Sequence, residues 1–356
     1  MAIKFLKNIF LFCLLVTLNT LCFASENIFY VLRYSTPDRM TPPKNTLASL
    51  KKHYKKIDIL IPQAYTINEL GEINKEIEPE LYKFAREHSM KIMPLVTNTQ
   101  FNREAAHQFL SDADAQAKAL KTLVDLCKKN HFYGIQLDFE MINIKDRDAL
   151  TRFYELAANE LHRNEFLISF AVAPTVTEKP TSLFLKKIYE NWEGAYDLKK
   201  IGEFSDFVSI MAYNQHGGGL TTPGPTASLS WVKETVKYTL QYISANKISI
   251  GIADYSTHWF TGSTKVNEAE KIAVQMRGVD YETGTSLARQ NKSKFIWDNQ
   301  SATHYAIFTK NWLNEYIFIE DAKSFTAKYR LVKKYKLRGI SVFDLGTEDQ
   351  SIWKKL

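Results

Sequence analysis

Eight short apolar runs, rich in β-branched residues, recur along this 356-residue chain with stretches of helical periodicity between them. They fall at residues 28–33, 57–62, 91–96, 133–140, 166–172, 207–213, 248–253 and 339–344, and helical patterns are clearest at 112–130, 146–163, 228–246 and 322–336. No run follows another across a two-residue hairpin turn, so the alternation is that of parallel βα units. Eight such units imply an α/β fold closed into a TIM (β/α)8 barrel rather than an open sheet. The interval between the seventh and eighth runs is too long for one helix. Residues 257–320 carry Trp259, Gly262, Gly278, Gly284, Trp297 and the aromatic run from Tyr316 to Phe318 among short strand-like stretches, which predicts a small inserted α+β lobe. The expected organisation is a leader over 1–24, barrel strands one to seven over 25–256, the lobe over 257–320, and the eighth strand with the C-terminal end over 321–356.

The leader has the composition of a secretory signal peptide. Lys4 and Lys7 form a basic start, an apolar run extends onward from Ile9 to Val16, and Ala24 offers a small residue for cleavage. As a membrane anchor the run is short and interrupted by Thr17, Asn19 and Thr20. A lipoprotein reading through Cys22 is disfavoured by Leu21, where a small residue is preferred. The expected location is outside the cytoplasm, whether periplasm, cell envelope or medium, with no stable membrane insertion after cleavage. Losing Lys4 and Lys7 lowers the net charge from +7 to +5, a balance compatible with an acidic envelope polymer. The basic residues are dispersed and accompany no nucleic-acid-binding motif. Only Cys127 remains after the leader, on an apolar helical stripe with Leu120, Leu123 and Val124, as expected of a buried thiol.

The fourth run holds the chemistry. Strand alternation puts Gly134, Gln136, Asp138 and Glu140 on one face, and Tyr133, Ile135, Leu137 and Phe139 on the other. Strands of a covered parallel sheet are normally apolar on both faces, because an unpaired buried charge is costly. Two carboxylates about 6.6 Å apart along an extended strand oppose each other's ionisation, a way of keeping one protonated near neutral pH.

The segment Tyr133-Gly134-Ile135-Gln136-Leu137-Asp138-Phe139-Glu140 resembles the Asp-Gly-x-Asp-x-Asp-x-Glu signature of glycoside hydrolase family 18, the chitinase-like hydrolases. Tyr133 and Gln136 replace its first two acids, and an amide at the second is associated with the bacterial branch acting on peptidoglycan and spore cortex. Met211-Ala212-Tyr213-Asn214 resembles the family's Met-x-Tyr-Asp, with Asn214 for the acid. The eighth run resembles the strand that ends in Trp, with Phe343 in that place. Segments 57–71 and 91–98 also resemble the peptidoglycan-active branch, and the resemblance spans about residues 28–349.

The resemblance implies substrate-assisted hydrolysis, in which the substrate's 2-acetamido oxygen attacks the anomeric carbon. Glu140 would be the general acid and then the base, Asp138 would hold the acetamido N–H, and Tyr213 would donate to the acetamido oxygen. Gln136 would support Asp138. Met211, Asn214, Phe343, Tyr255, Gln63 and Asn98 are candidate substrate-binding residues, and Tyr34, Tyr65 and Trp259 are weaker cleft candidates. Met211, Tyr213 and Phe343 have a core-packing alternative, and Asn214 a turn alternative. The histidines show no metal spacing, and no phosphate loop or serine elbow is present. No cofactor or metal is expected. The expected function is an exported glycoside hydrolase cleaving β-1,4 bonds beside N-acetylglucosamine in peptidoglycan or chitin-type polymers, with retention. The rival is a non-catalytic binding protein for the same polysaccharides on the same barrel, a state usually marked by loss of the terminal Glu; Glu140 is present.

Overall fold

The computed structural model describes residues 25–32, 43–74, 76–217, 221–262 and 273–356. The expected leader and Tyr34 lie outside the described residues. Seven parallel strands come first: β1 Glu26–Val31, β2 Ile59–Ile67, β3 Leu95–Asn98, β4 Gly134–Asp138, β5 Leu167–Val172, β6 Phe207–Ile210 and β7 Ile248–Ala253. An antiparallel sheet follows, made of β8 Ser256–Gly262, β9 Ala273–Val279, β10 Ile296–Asp298, β11 Thr303–Lys310 and β12 Leu313–Ile319. The last strand, β13 Gly339–Phe343, returns to the first sheet between β7 and β1, and pairing of β1 with β2 closes an eight-stranded parallel barrel.

Among the described residues ten α-helices accompany the strands: α1 Pro43–His53, α2 Pro79–Glu87, α3 Arg103–Ser111, α4 Ala113–Asn130, α5 Arg147–Arg163, α6 Leu183–Asn191, α7 Leu198–Phe204, α8 Leu229–Thr239, α9 Tyr281–Gln290 and α10 Ala322–Tyr335. The main core lies between barrel and helices. Ile135, Leu137 and Phe139 face it from β4 and its end, against Phe109, Leu123 and Phe153 of α3, α4 and α5. Cys127 is buried there too, and burial pushes its thiol up to about 12, which leaves it inert. The barrel interior holds a smaller apolar plug of Ile28, Tyr30, Ile59, Ile61, Met93, Leu95 and Phe207.

Three strand ends depart from the expected boundaries. β2 runs on to Ile67 and pairs there with Ile73–Asn74 across a turn at Gly71, whose φ of 71° suits glycine. A register shift between Gln63 and Tyr65 interrupts its alternation. Tyr65, a weaker cleft candidate, therefore packs in the outer layer, 6.3 Å from the Phe132 ring. β4 ends at Asp138, so Glu140 projects from the chain just beyond it. β6 ends at Ile210, because the amides of Ala212 and Tyr213 fold back to Ile210 and Met211 at 2.8 and 2.7 Å, leaving the ladder.

The lobe packs α9 on one face of its sheet, with Ala288 against Ala306, Phe308, Ile317 and Ile319. Trp259, a weaker cleft candidate with a structural alternative, is fully buried, and its indole N–H donates to the Gly224 carbonyl at 2.9 Å. It ties the lobe to the segment after β6. A buried ion pair does the same at the other end, where Lys328 of α10 meets both oxygens of Glu320 at 2.7 and 2.6 Å.

Candidate active site

The carboxyl ends of the strands meet over a buried polar layer. Gln136 lies inside the barrel with no exposed surface, accepts from the Tyr30 hydroxyl at 2.6 Å, and donates to Ser169 and Ser209 at 2.8 and 3.1 Å. Ser209 and Ser249 each reach Ser341, at 2.8 and 2.7 Å. Strands β1, β4, β5, β6, β7 and β13 are thereby stitched together across the barrel. An amide suits this position because its oxygen and both N–H groups all find partners, so no charge is buried.

Asp138 and Glu140 stand above this layer. Asp138 is 5% exposed and its Oδ1 has no hydrogen-bond partner. Burial, and then the charge of Glu140, push its carboxyl well above the usual range. Glu140 is only partly buried at the residue level, yet desolvation raises it from 4.5 to about 7, with the Trp192 indole N–H acting in the opposite sense. Desolvation, more than mutual repulsion, is what holds the acid proton near neutral pH. A carboxyl in that range can give a proton and take one back.

Asn98 sets where Glu140 stands. Its side-chain oxygen accepts from the Glu140 amide at 2.9 Å and its NH2 donates to the Glu140 carbonyl at 3.1 Å, so the side chain imitates one more rung of the β3–β4 ladder. Expected among the substrate-binding residues, Asn98 is committed to this clamp and is 2% exposed. Tyr196 adds a second tie, its hydroxyl donating to the Phe139 carbonyl at 2.8 Å.

An aromatic group forms the neighbouring surface. Tyr213 stacks on Phe343 with ring centres 5.1 Å apart and planes within 13°, and Tyr30 and Tyr255 meet Phe343 edge-on at 5.6 and 6.2 Å. Met211, Tyr213 and Tyr255 are buried together with Ala171 and Ala253. The Tyr255 hydroxyl donates to the side-chain oxygen of Asn214, an exposed residue with a φ of 58°. Burial keeps the Tyr213 phenol protonated, hence a donor. Gln63 is half-buried beside a different cavity of about 560 Å³, shared with Val31, Leu47, Pro62 and Leu81.

A sequence model of glycosyl hydrolases family 18 matches residues 40–348 of the chain. The chain belongs to this family. Among curated relatives of this family 18 glycosidase, the uncharacterized glycosylase YvbX of Bacillus subtilis is 25% identical over 86% of each chain. The cortical fragment-lytic enzyme of the same bacterium is 28% identical over 74% of this chain and 58% of its own length. The spore cortex-lytic enzyme SleL of Bacillus megaterium superposes with a TM-score of 0.79 over 93% of this chain and 73% of its own, at 24% identity. A chitinase from Chromobacterium violaceum superposes with a TM-score of 0.79, covering 93% and 97%, at 21% identity. Both superpositions speak to the fold.

Several residues of this family 18 site escaped the sequence reading. Tyr30 and the serines left one signal: Ser169, Ser209, Ser249 and Ser341 each stand alone near the middle or start of an apolar run. Trp192 and Tyr196 left none, since they follow a helix more than fifty residues after Glu140.

Proposed function

We propose that this family 18 glycosidase acts outside the cytoplasm and cleaves β-1,4 bonds beside N-acetylglucosamine in peptidoglycan, by substrate-assisted hydrolysis with retention. The observation that carries the reading is the pair at the end of β4: Asp138 with an unpaired oxygen, and Glu140 raised to about 7 beside it. Glu140 transfers its proton to the leaving glycosidic oxygen as the 2-acetamido oxygen bonds to the anomeric carbon and the glycosidic bond breaks. Asp138 accepts a hydrogen bond from the acetamido N–H and steadies the oxazolinium charge. The Tyr213 hydroxyl donates to the acetamido oxygen. Glu140 then takes a proton from water, which attacks the anomeric carbon from the side of the departed group, and the acetamide is restored. Two displacements at one carbon give net retention.

Phe343 and Tyr213 supply an apolar platform for a sugar face, with Met211, Tyr255 and Asn214 at its edge. Peptidoglycan is favoured over chitin by Gln136 in the ladder and by the cortical fragment-lytic relatives. Export is supported by the basic and apolar composition of residues 1–24, and no helix of the described residues is long and apolar enough to cross a membrane. The test is digestion of purified peptidoglycan and chitin oligomers side by side, with mass spectrometry of the released ends. N-acetylglucosamine at the new reducing end of peptidoglycan fragments is expected. Binding without cleavage would replace this reading with the lectin-like one, and cleavage of a fully deacetylated polymer would remove the acetamido mechanism.

A further inference from the structure

The turn after α6 reaches across the cleft end of β4 and is anchored on both sides of Glu140. On one side Tyr196 donates to the Phe139 carbonyl at 2.8 Å. On the other, Asn143 donates to the Asn191 side chain at 3.1 Å. Between these ties the turn is compact: Gly194 is buried, and a Cβ there would stand 2.8 Å from both the Tyr189 carbonyl oxygen and Ile144 Cδ1. The Ala195 amide returns to the Trp192 carbonyl at 3.2 Å. Nothing larger than glycine fits, so the path of the turn is set by packing.

Trp192 is the residue this turn presents. Its ring packs beside the cluster of Ala171, Met211, Tyr213, Ala253 and Tyr255 that forms the sugar-facing wall. Its indole N–H is buried and makes no hydrogen bond of ordinary geometry within the protein. The Tyr196 tie to the Phe139 carbonyl brings the turn up beside Glu140, and the Trp192 N–H favours the ionised form of the Glu140 carboxyl and of the Tyr196 hydroxyl, against the effect of burial. A buried donor left without a partner is destabilising, and such groups in native structures call for a functional account.

We propose that Trp192 is a positioning residue for the reaction: its indole N–H, held by the anchored turn 192–196, aims the Glu140 carboxyl toward the glycosidic oxygen. This rests on the assignment of Glu140 as the acid. The N–H gains a full partner when Glu140 becomes a carboxylate, the state in which it must wait for water, and its loss therefore affects the ionised form more than the neutral one. The titratable groups around Glu140 and the turn are Asp138 at the end of β4, Tyr154 from α5, Tyr196 and Glu193 from the turn and Tyr213 beyond β6. Burial raises all three phenols, so the groups that change charge up to neutral pH are the carboxyls: Asp138, Glu140 and Glu193, the last raised by burial to about 7, and Glu193→Gln serves as the control that separates its titration from that of Glu140.

The test replaces Trp192 in the full chain with benzothienylalanine, which exchanges N–H for sulfur and keeps the ring shape, alongside Trp192→Phe. Glu140 is followed by carbon-13 NMR of labelled carboxyls, assigned with Glu140→Gln, and turnover is followed on an N-acetylglucosamine tetramer and on peptidoglycan. In the sulfur variant the Glu140 midpoint is expected to rise by about one pH unit, since a hydrogen bond to a charged group is of that order. The alkaline limb of the rate profile should follow it, and kcat should fall about tenfold with KM unchanged. A Glu140 midpoint and rate profile that overlay wild type overturn the proposal, as does a change confined to KM. If the wild-type protein cleaves neither polymer, the glycosidase reading fails, and the carboxyl titration still decides whether the indole N–H acts on Glu140.

Discussion

Replacing Glu140 with Gln should make the protein more stable in alkaline solution while abolishing its activity. The carboxyl moves from an ordinary 4.5 to about 7 because the fold strips it of water, which at 1.36 kcal/mol per tenfold change in proton affinity corresponds to roughly 3 kcal/mol against the ionised form. A raised carboxyl contributes fully to stability below its unfolded value, and that contribution is lost as the pH climbs through the folded value. The window is therefore about pH 4.5 to 7. The amide is nearly isosteric with the protonated acid and cannot ionise, so the two proteins should unfold alike at pH 4. At pH 8 Glu140→Gln should be the more stable by up to roughly 3 kcal/mol, and part of the gain reflects relief of Asp138, whose carboxyl is raised in part by the Glu140 charge. Urea denaturation followed by circular dichroism at several pH values measures the difference, and turnover should drop ~10²–10⁴-fold. A stability difference that stays flat from pH 4 to 8 would refute the desolvation argument. Retention of more than about a tenth of the turnover would refute the acid assignment.

Other perturbations separate clamp, lobe anchor and polar layer. Asn98→Ala removes both hydrogen bonds to the Glu140 backbone and should lower kcat more than it raises KM, with a stability loss of about 1–3 kcal/mol; unchanged kcat would show that the clamp does not place the acid. Lys328→Met leaves Glu320 buried without its cation, and a loss of about 3–5 kcal/mol is expected, read by denaturant titration; a loss below 1 kcal/mol would mean that the pair is not desolvated as described. Gln136→Asp exchanges a fully bonded amide for a third acid facing Tyr30, Ser169 and Ser209, and should move the acidic limb of the pH–rate profile. An overlay of that profile with wild type, together with unchanged turnover in Asp138→Asn, would uncouple these residues from catalysis.

The sequence by itself determined the eight parallel strands, the lobe between the seventh and eighth, and the two-residue spacing of Asp138 and Glu140. Strand and helix periods are local properties, readable from side-chain order alone. The same alternation put Gln136 on the polar face, and the motif named the family. Tertiary structure decided the rest. Tyr65 turned outward because a bulge reset the alternation of β2, and Trp259 was buried because the lobe folds back on Gly224. Asn98 reached the Glu140 backbone because β3 and β4 pair in register, with Thr97 opposite Asp138. Tyr30, Gln136 and the four serines joined in one network because barrel closure brings six strands to one level. Trp192 came to Glu140 through a turn anchored at Phe139 and Asn143. Each of these depends on register or crossing between segments tens of residues apart, and the proton affinity of Glu140 depends on how much water those segments exclude, which no local pattern encodes.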